Sequence, residues 1–217
     1  MDRRQFSRAA GGVLAGAGLA WGAAARAQAK KPELGVHYLA IGTPAPTEAP
    51  AGKVEVLEFF WYNCPHCNAF EPELAAWLKR IPKNVAFRRV PVAFNASFVP
   101  QQRLYFSLEA LGLVDKLHAK VFDAIHNQKI KLDEGQAITT WVVQNGVDQA
   151  KFLAAYNSFS VETKTKKSVQ LQEAYKVEGV PALGIAGRFY TDAGLAGGMT
   201  RALQIVEMLA AEKKAST

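Results

Sequence analysis

The stretch VEVLEFFWYNCPHC, residues 54–67, constrains the fold of this chain more than any other. Its first eight residues are nearly all apolar and β-prone, as expected of a strand buried on both faces, which has no solvent side to carry polar residues. Cys64 and Cys67 follow, with only Pro65 and His66 between them. In AFEPELAAWLKR, residues 69–80, Phe70, Leu74, Trp77 and Leu78 recur at helical spacing, and Pro72 is placed to kink that helix. VAFRRVPVAF, residues 85–94, reads as a second buried strand. Strand, helix and strand make a βαβ unit with both cysteines at its first strand-to-helix turn, the end of a strand where open α/β sheets build their sites.

The rest of the chain sorts into elements by the same periodicities. Gly35 to Ile41 suits a short first strand, and TPAPTEAPAGK (43–53) is a proline-rich loop. From about Ser97 to Ser158 the apolar spacing is helical, as at Leu104, Leu108 and Leu111 and again at Leu117, Val121 and Ile125. A longer, more polar helix is expected over 160–176, then a hairpin over 178–191 turning at Ala186-Gly187, then a helix after Thr200. This order describes an α/β domain interrupted by an all-helical insertion. The expected boundaries are 33–96 and 166–217 for the α/β domain and 97–165 for the insertion.

Residues 1–29 carry an arginine-rich start, a small-residue apolar stretch and the ending Ala27-Gln28-Ala29, the pattern of a cleaved export signal. Arg3-Arg4-Gln5-Phe6 and the glycine-rich, mildly apolar middle resemble a twin-arginine signal, with Ser7 where a bulky apolar residue is usual. Five glycines and Arg26 leave no run of about 20 strongly apolar residues for a membrane anchor. Losing Arg3, Arg4, Arg8, Arg26 and Asp2 lowers the net charge from +7 to +4, too mild to argue for nucleic acid. Lys164, Lys166 and Lys167 read as a solvated helix face. An exported chain reaches a compartment where disulfides persist, so the cysteine spacing must decide what the pair does.

A disulfide across so small a loop removes little chain entropy, which weakens a structural-staple reading. A zinc site would need ligands beyond the two cysteines, and His37, His66, His118 and His126 show no finger-like spacing. Haem attachment requires histidine after the second cysteine, where this chain has Asn68. A redox couple has a direct rationale. At a helix N-terminus the unpaired N–H groups and the helix dipole favour a Cys64 thiolate, and Pro65 suits the first turn because it has no N–H to leave unsatisfied. His66 would favour that thiolate electrostatically, or else be a neutral spacer. Cys67, one turn in, is less exposed and would be the resolving sulfur. Because only the reduced form has a thiolate to stabilise, a depressed Cys64 pKa makes the disulfide an oxidant.

VLEFFWYNCPHC, Pro72, the helical insertion and GVPA at 179–182 together resemble the DsbA family of bacterial periplasmic thiol oxidases. The resemblance covers most of the chain after residue 29 and is weakest in the insertion. It implies a thioredoxin-like fold with an inserted all-helical domain and no cofactor beyond the redox-active Cys64–Cys67 disulfide. It also implies a monomer that oxidises unfolded exported proteins through a mixed disulfide at Cys64 and is recharged by a DsbB-type, quinone-linked membrane partner. In that family a Val-Pro loop with a cis peptide bond faces the disulfide, which maps to Val180 and Pro181, where the Val180 backbone would pair with substrate. The family's buried acid maps to Glu58, beside which Arg89 stands where relatives carry lysine. Asn63 departs from the usual aromatic pair. A disulfide isomerase or reductase on the same fold and a copper carrier using Cys64 and Cys67, with or without His66, are the alternative readings.

Overall fold

The structure, a computed structural model, describes residues 31–215. The export signal expected at 1–29 lies outside the described residues, as do residues 216 and 217. Five strands form one mixed sheet: β1 (Leu39–Ala40), β2 (Val54–Phe60), β3 (Val85–Pro91), β4 (Ala182–Ile185) and β5 (Phe189–Asp192). Their order across the sheet is β1-β5-β4-β2-β3, with only β2 and β3 parallel. Every residue of β2 is buried, as its unbroken apolar run requires of a central strand covered on both faces.

Alternation along β2 sends Val54, Val56, Glu58 and Phe60 one way and Glu55, Leu57 and Phe59 the other. Val56 packs with Phe70, Leu74 and Trp77 of α1 (Pro65–Leu78) and with Ile205 and Val206 of α8 (Met199–Ala215). Leu57 and Phe59 pack with Leu171 and Tyr175 on the opposite face. The βαβ unit is therefore in place, and Pro72 lies inside a helix that continues past it to Leu78.

Between β3 and β4 the chain forms a 3-10 turn (Ala96–Phe98) and the helices α2 (Val99–Ala110), α3 (Val114–His126), α4 (Gly135–Gln144), α5 (Gln149–Tyr156) and α6 (Phe159–Ala174). Leu104, Leu108, Leu117 and Val121 form a core of their own, joined to the sheet through Phe60 and Tyr62. α6 runs without a break across the boundary expected at 165/166, and Ser168 on it donates to the Pro91 carbonyl at the end of β3.

Two local expectations need correction. The first strand, expected over Gly35 to Ile41, is only Leu39–Ala40, because Gly35 at φ +83° and the bond from Val36 N–H to the Glu33 carbonyl make a turn there. A short helix, α7 (Ala193–Ala196), follows β5; Asp192 caps its N-terminus by accepting from Leu195 N–H, and left-handed Gly197 ends it. The hairpin turns at Ala186-Gly187 as expected, with both residues at positive φ. Gly187 is required there twice over, since a Cβ would also lie 2.4 Å from the Ala45 carbonyl oxygen.

Candidate active site

The site starts from how β2 ends. Cys64 is the N-cap of α1 in extended conformation, its Sγ accepting from the Cys67 N–H at 3.4 Å, and Pro65 opens the first turn. Cys67, one turn into the helix, is fully buried, whereas Cys64 keeps 7% exposure. Both are thiols. The chain returns to this point 116 residues later, where the Cys64 thiol donates to the Val180 carbonyl at 3.3 Å, and the Val180-Pro181 peptide bond is cis. His66, Phe70, Val180, Pro181 and Met199 line a groove of about 500 Å³ beside the thiols, flanked by Glu73 and Asp192.

The two sulfurs differ sharply in acidity. Cys64 is lowered to about 6, first by the hydrogen bond from the Cys67 thiol, then by the backbone amides of Cys67 and His66, against the opposing effect of burial. The charge of His66 adds the last and smallest part, so the local reason lies more in Cys67 and the helix turn than in the imidazole. Cys67 is pushed far up, chiefly by burial and then by its bond to Cys64, with the Glu58 charge adding to the rise.

The parallel register sets Arg89 directly beside Glu58. Glu58 is fully buried, and burial raises its carboxyl to about 8 against the lowering pull of Arg89, with Glu71 adding to the rise. Arg89 Nε stands 3.0 Å from Glu58 Oε2, yet neither Glu58 oxygen has a well-aligned donor. The guanidinium is thus close to Glu58 but badly angled for a hydrogen bond to it, and burial keeps the carboxyl protonated below about pH 8 in spite of the nearby charge.

Glu71 was not singled out in the sequence, although it lies four residues after Cys67 and so on the same helix face. Arg89 Nη2 donates to Glu71 Oε2 at 3.1 Å, and His118 Nε2 contacts Glu71 Oε1 at 3.1 Å. The Tyr62 hydroxyl meets His118 Nδ1 at 2.9 Å. His118, considered in the sequence only as a metal ligand, is thus engaged by a tyrosine and a carboxylate. Asn63 accepts from Gln101 at 2.7 Å, tying the residue before Cys64 to α2. Among the described residues no group of three or more His, Cys, Asp or Glu side chains is arranged to hold a metal.

The sequence matches the model of the DSBA-like thioredoxin domain over residues 55–204. It is 41% identical over 197 residues to a thiol:disulfide interchange protein DsbA of Burkholderia cepacia, covering 91% of this chain and 92% of that one. Against the Bordetella pertussis protein of the same name it is 40% identical, covering 99% of this chain and all of the relative. The crystal structure of Pseudomonas aeruginosa DsbA superposes with a TM-score of 0.80 at 36% identity, over 85% of this chain and 95% of that one. The family model runs from β2 through the CPHC turn and the helices between β3 and β4 into α8, and the chain belongs to the DSBA-like thioredoxin family, a thioredoxin-like fold with a helical insertion.

Proposed function

We propose that this chain is a periplasmic dithiol oxidase that gives its Cys64–Cys67 disulfide to exported proteins as they fold. The observation that carries this reading is the placing of the pair: Cys64 caps α1, accepts from the Cys67 N–H and lies against the Val180 carbonyl, while Cys67 is fully buried one turn on, which lowers Cys64 to about 6 and pushes Cys67 far up. A substrate thiolate attacks Cys64 Sγ of the disulfide, the S–S bond breaks, and Cys67 leaves with the electron pair. A second substrate thiolate then attacks the substrate sulfur of the mixed disulfide, and Cys64 leaves as a thiolate. The substrate is oxidised by two electrons and the protein is left as the dithiol. A leaving thiol of low pKa departs faster, which suits Cys64 to the second step.

Cys67 has the opposite need, because a buried thiolate of high proton affinity must take up a proton as it leaves. Glu58, carrying a proton up to about pH 8 and acting electrostatically on Cys67, is the proposed donor, with Arg89 tuning it. Val180 and Pro181 are the proposed substrate-binding residues, lining the groove beside Cys64. Residues 97–165 are proposed as the helical insertion domain of an α/β domain spanning 33–96 and 166–217. We read the protein as a monomer exported by the signal at 1–29 and recharged by a DsbB-type membrane partner. No helix among the described residues is long and apolar enough to cross a membrane.

The test is a redox equilibrium of the purified protein against glutathione, with Cys64 thiolate titrated by ultraviolet absorbance in the same sample. An oxidase has a thiolate midpoint near 6 and a couple more oxidising than glutathione; a midpoint near 8.5 with a reducing couple overturns the assignment. In parallel, Cys67→Ala should accumulate mixed disulfides through Cys64 with exported proteins.

A further inference from the structure

The buried charges behind the thiols do not balance in pairs. One guanidinium, Arg89, stands between two carboxylates, Glu58 of β2 and Glu71 of α1. Its Nη2 reaches both Glu71 oxygens, at 3.1 and 3.4 Å, while its approach to Glu58 gives no aligned bond. A fourth group, from a separate part of the chain, breaks the tie. His118 on α3 is 5% exposed and lies among Phe60, Tyr62, Tyr105 and Phe122.

The direction of its hydrogen bonds follows from its neighbours. Glu71, an anion, can only accept from Nε2, so Nδ1 of a neutral ring is the acceptor and the Tyr62 hydroxyl, kept protonated by burial, donates to it. The imidazole is itself kept neutral, chiefly by burial, which leaves the ring proton on Nε2 facing Glu71 Oε1. Glu71 is thereby held by His118 and Arg89 together, and its carboxyl lies below the usual range although burial opposes this. Glu58 has no such donors.

We propose that His118 is a positioning residue: by donating to Glu71 it makes Glu71 the anion that balances Arg89, and so leaves Glu58 as the proton-bearing acid beside Cys67. The helical segment thus sets the protonation of the redox site through a chain running Tyr62, His118, Glu71, Arg89, Glu58. Among the described residues the titratable and charged groups facing this chain are those five, Tyr105 from α2, Cys67 from α1 and His126 from α3, whose Nε2 contacts the Tyr62 carbonyl at 2.7 Å. The role in thiol chemistry rests on the oxidase reading above, but the protonation assignment does not.

The experiment follows the glutamate carboxyl resonances of carbon-13-labelled dithiol protein with pH, with Glu58 assigned by its loss in Glu58→Gln. His118→Leu removes the donor to Glu71, so Arg89 turns to Glu58 and the Glu58 midpoint falls by about one pH unit, a tenfold change in acidity. His118→Gln, whose amide offers both an N–H and a carbonyl, restores most of it. Tyr62→Phe, which keeps the ring and removes only the hydroxyl that orients His118, lowers the midpoint in the same direction and guards against a His118→Leu protein that does not fold. A Glu58 midpoint unmoved in the folded variants, or moved equally by Leu and Gln, overturns the proposal. Oxidation of a dithiol peptide by the unaltered protein, first converted to its disulfide form with oxidised glutathione, separates that failure from a failure of the oxidase reading.

Discussion

Replacing Cys64 by alanine in the dithiol protein removes one thiolate and exposes its contribution to stability. An unfolded thiol titrates at about 8.5, and folding lowers Cys64 to about 6. The folded pKa is the depressed one, so the contribution is fully present above the unfolded pKa and is lost as pH falls through 6. It is close to nothing at pH 5, about 1 kcal/mol at pH 7 and about 2–3 kcal/mol at pH 8. Cys67 stays protonated across that range and Glu58 is common to both proteins, so their effects cancel in the difference. The pH-independent cost of the lost cap bond from the Cys67 amide cancels between pH values as well.

The assay is denaturant unfolding of the reduced wild type and of Cys64→Ala at pH 5, 7 and 8. The stability difference should widen by about 2–3 kcal/mol from pH 5 to pH 8. A difference constant to within about 0.5 kcal/mol would refute the reasoning that the Cys67 thiol and the amides of the helix turn stabilise the anion against burial. The same arithmetic ties stability to redox chemistry, because the disulfide form has no thiolate to stabilise. At pH 7 the contribution corresponds to about 30 mV of oxidising power for a two-electron couple.

Glu58→Gln reverses the usual carboxylate sign: a raised pKa means that the folded wild type holds a proton the unfolded chain releases. Its stability relative to the variant should therefore fall as pH rises from 5 toward 8, by a few kcal/mol, on the order of the shift to about 8; parallel urea curves at pH 5 and 8 decide it. Gly184→Ala puts a Cβ 2.6 Å from the Tyr175 ring and should cost about 1–3 kcal/mol by denaturant unfolding, with an unchanged stability meaning that the ring moves freely. Ser158→Ala removes the acceptor for Val161 N–H at the start of α6 and should cost about 1 kcal/mol in the same measurement, whereas a Gly replacement costs less.

Much of the fold could be read because its signals are local. The apolar run of β2, the spacing of Phe70, Leu74 and Trp77 and the Ala186-Gly187 turn each act within a few residues, and all three stand where periodicity and turn chemistry put them. α7 is too short for periodicity to register, although Asp192 before it and Gly197 after it were the signals that would have found it. Glu71 was within reach of helical spacing from Cys67. Nothing in the sequence ties His118 to it, since only the packing of α3 against α1 brings them within hydrogen-bond distance.

By itself, the sequence determined the reacting pair: a buried strand ending at Cys64, a proline-started helix carrying Cys67 one turn on, and the chemistry a CxxC pair can perform there. What only the tertiary structure decided is how that pair and its acid share protons. Acidity depends on desolvation and on charges brought from elsewhere in the chain, and neither is a property of neighbours in sequence. Cys67 is fully buried beneath Cys64, the Val180 carbonyl arrives from 116 residues away, and one guanidinium is divided between Glu58 and a Glu71 held by His118. Each of these exists only once the sheet and the helices have packed.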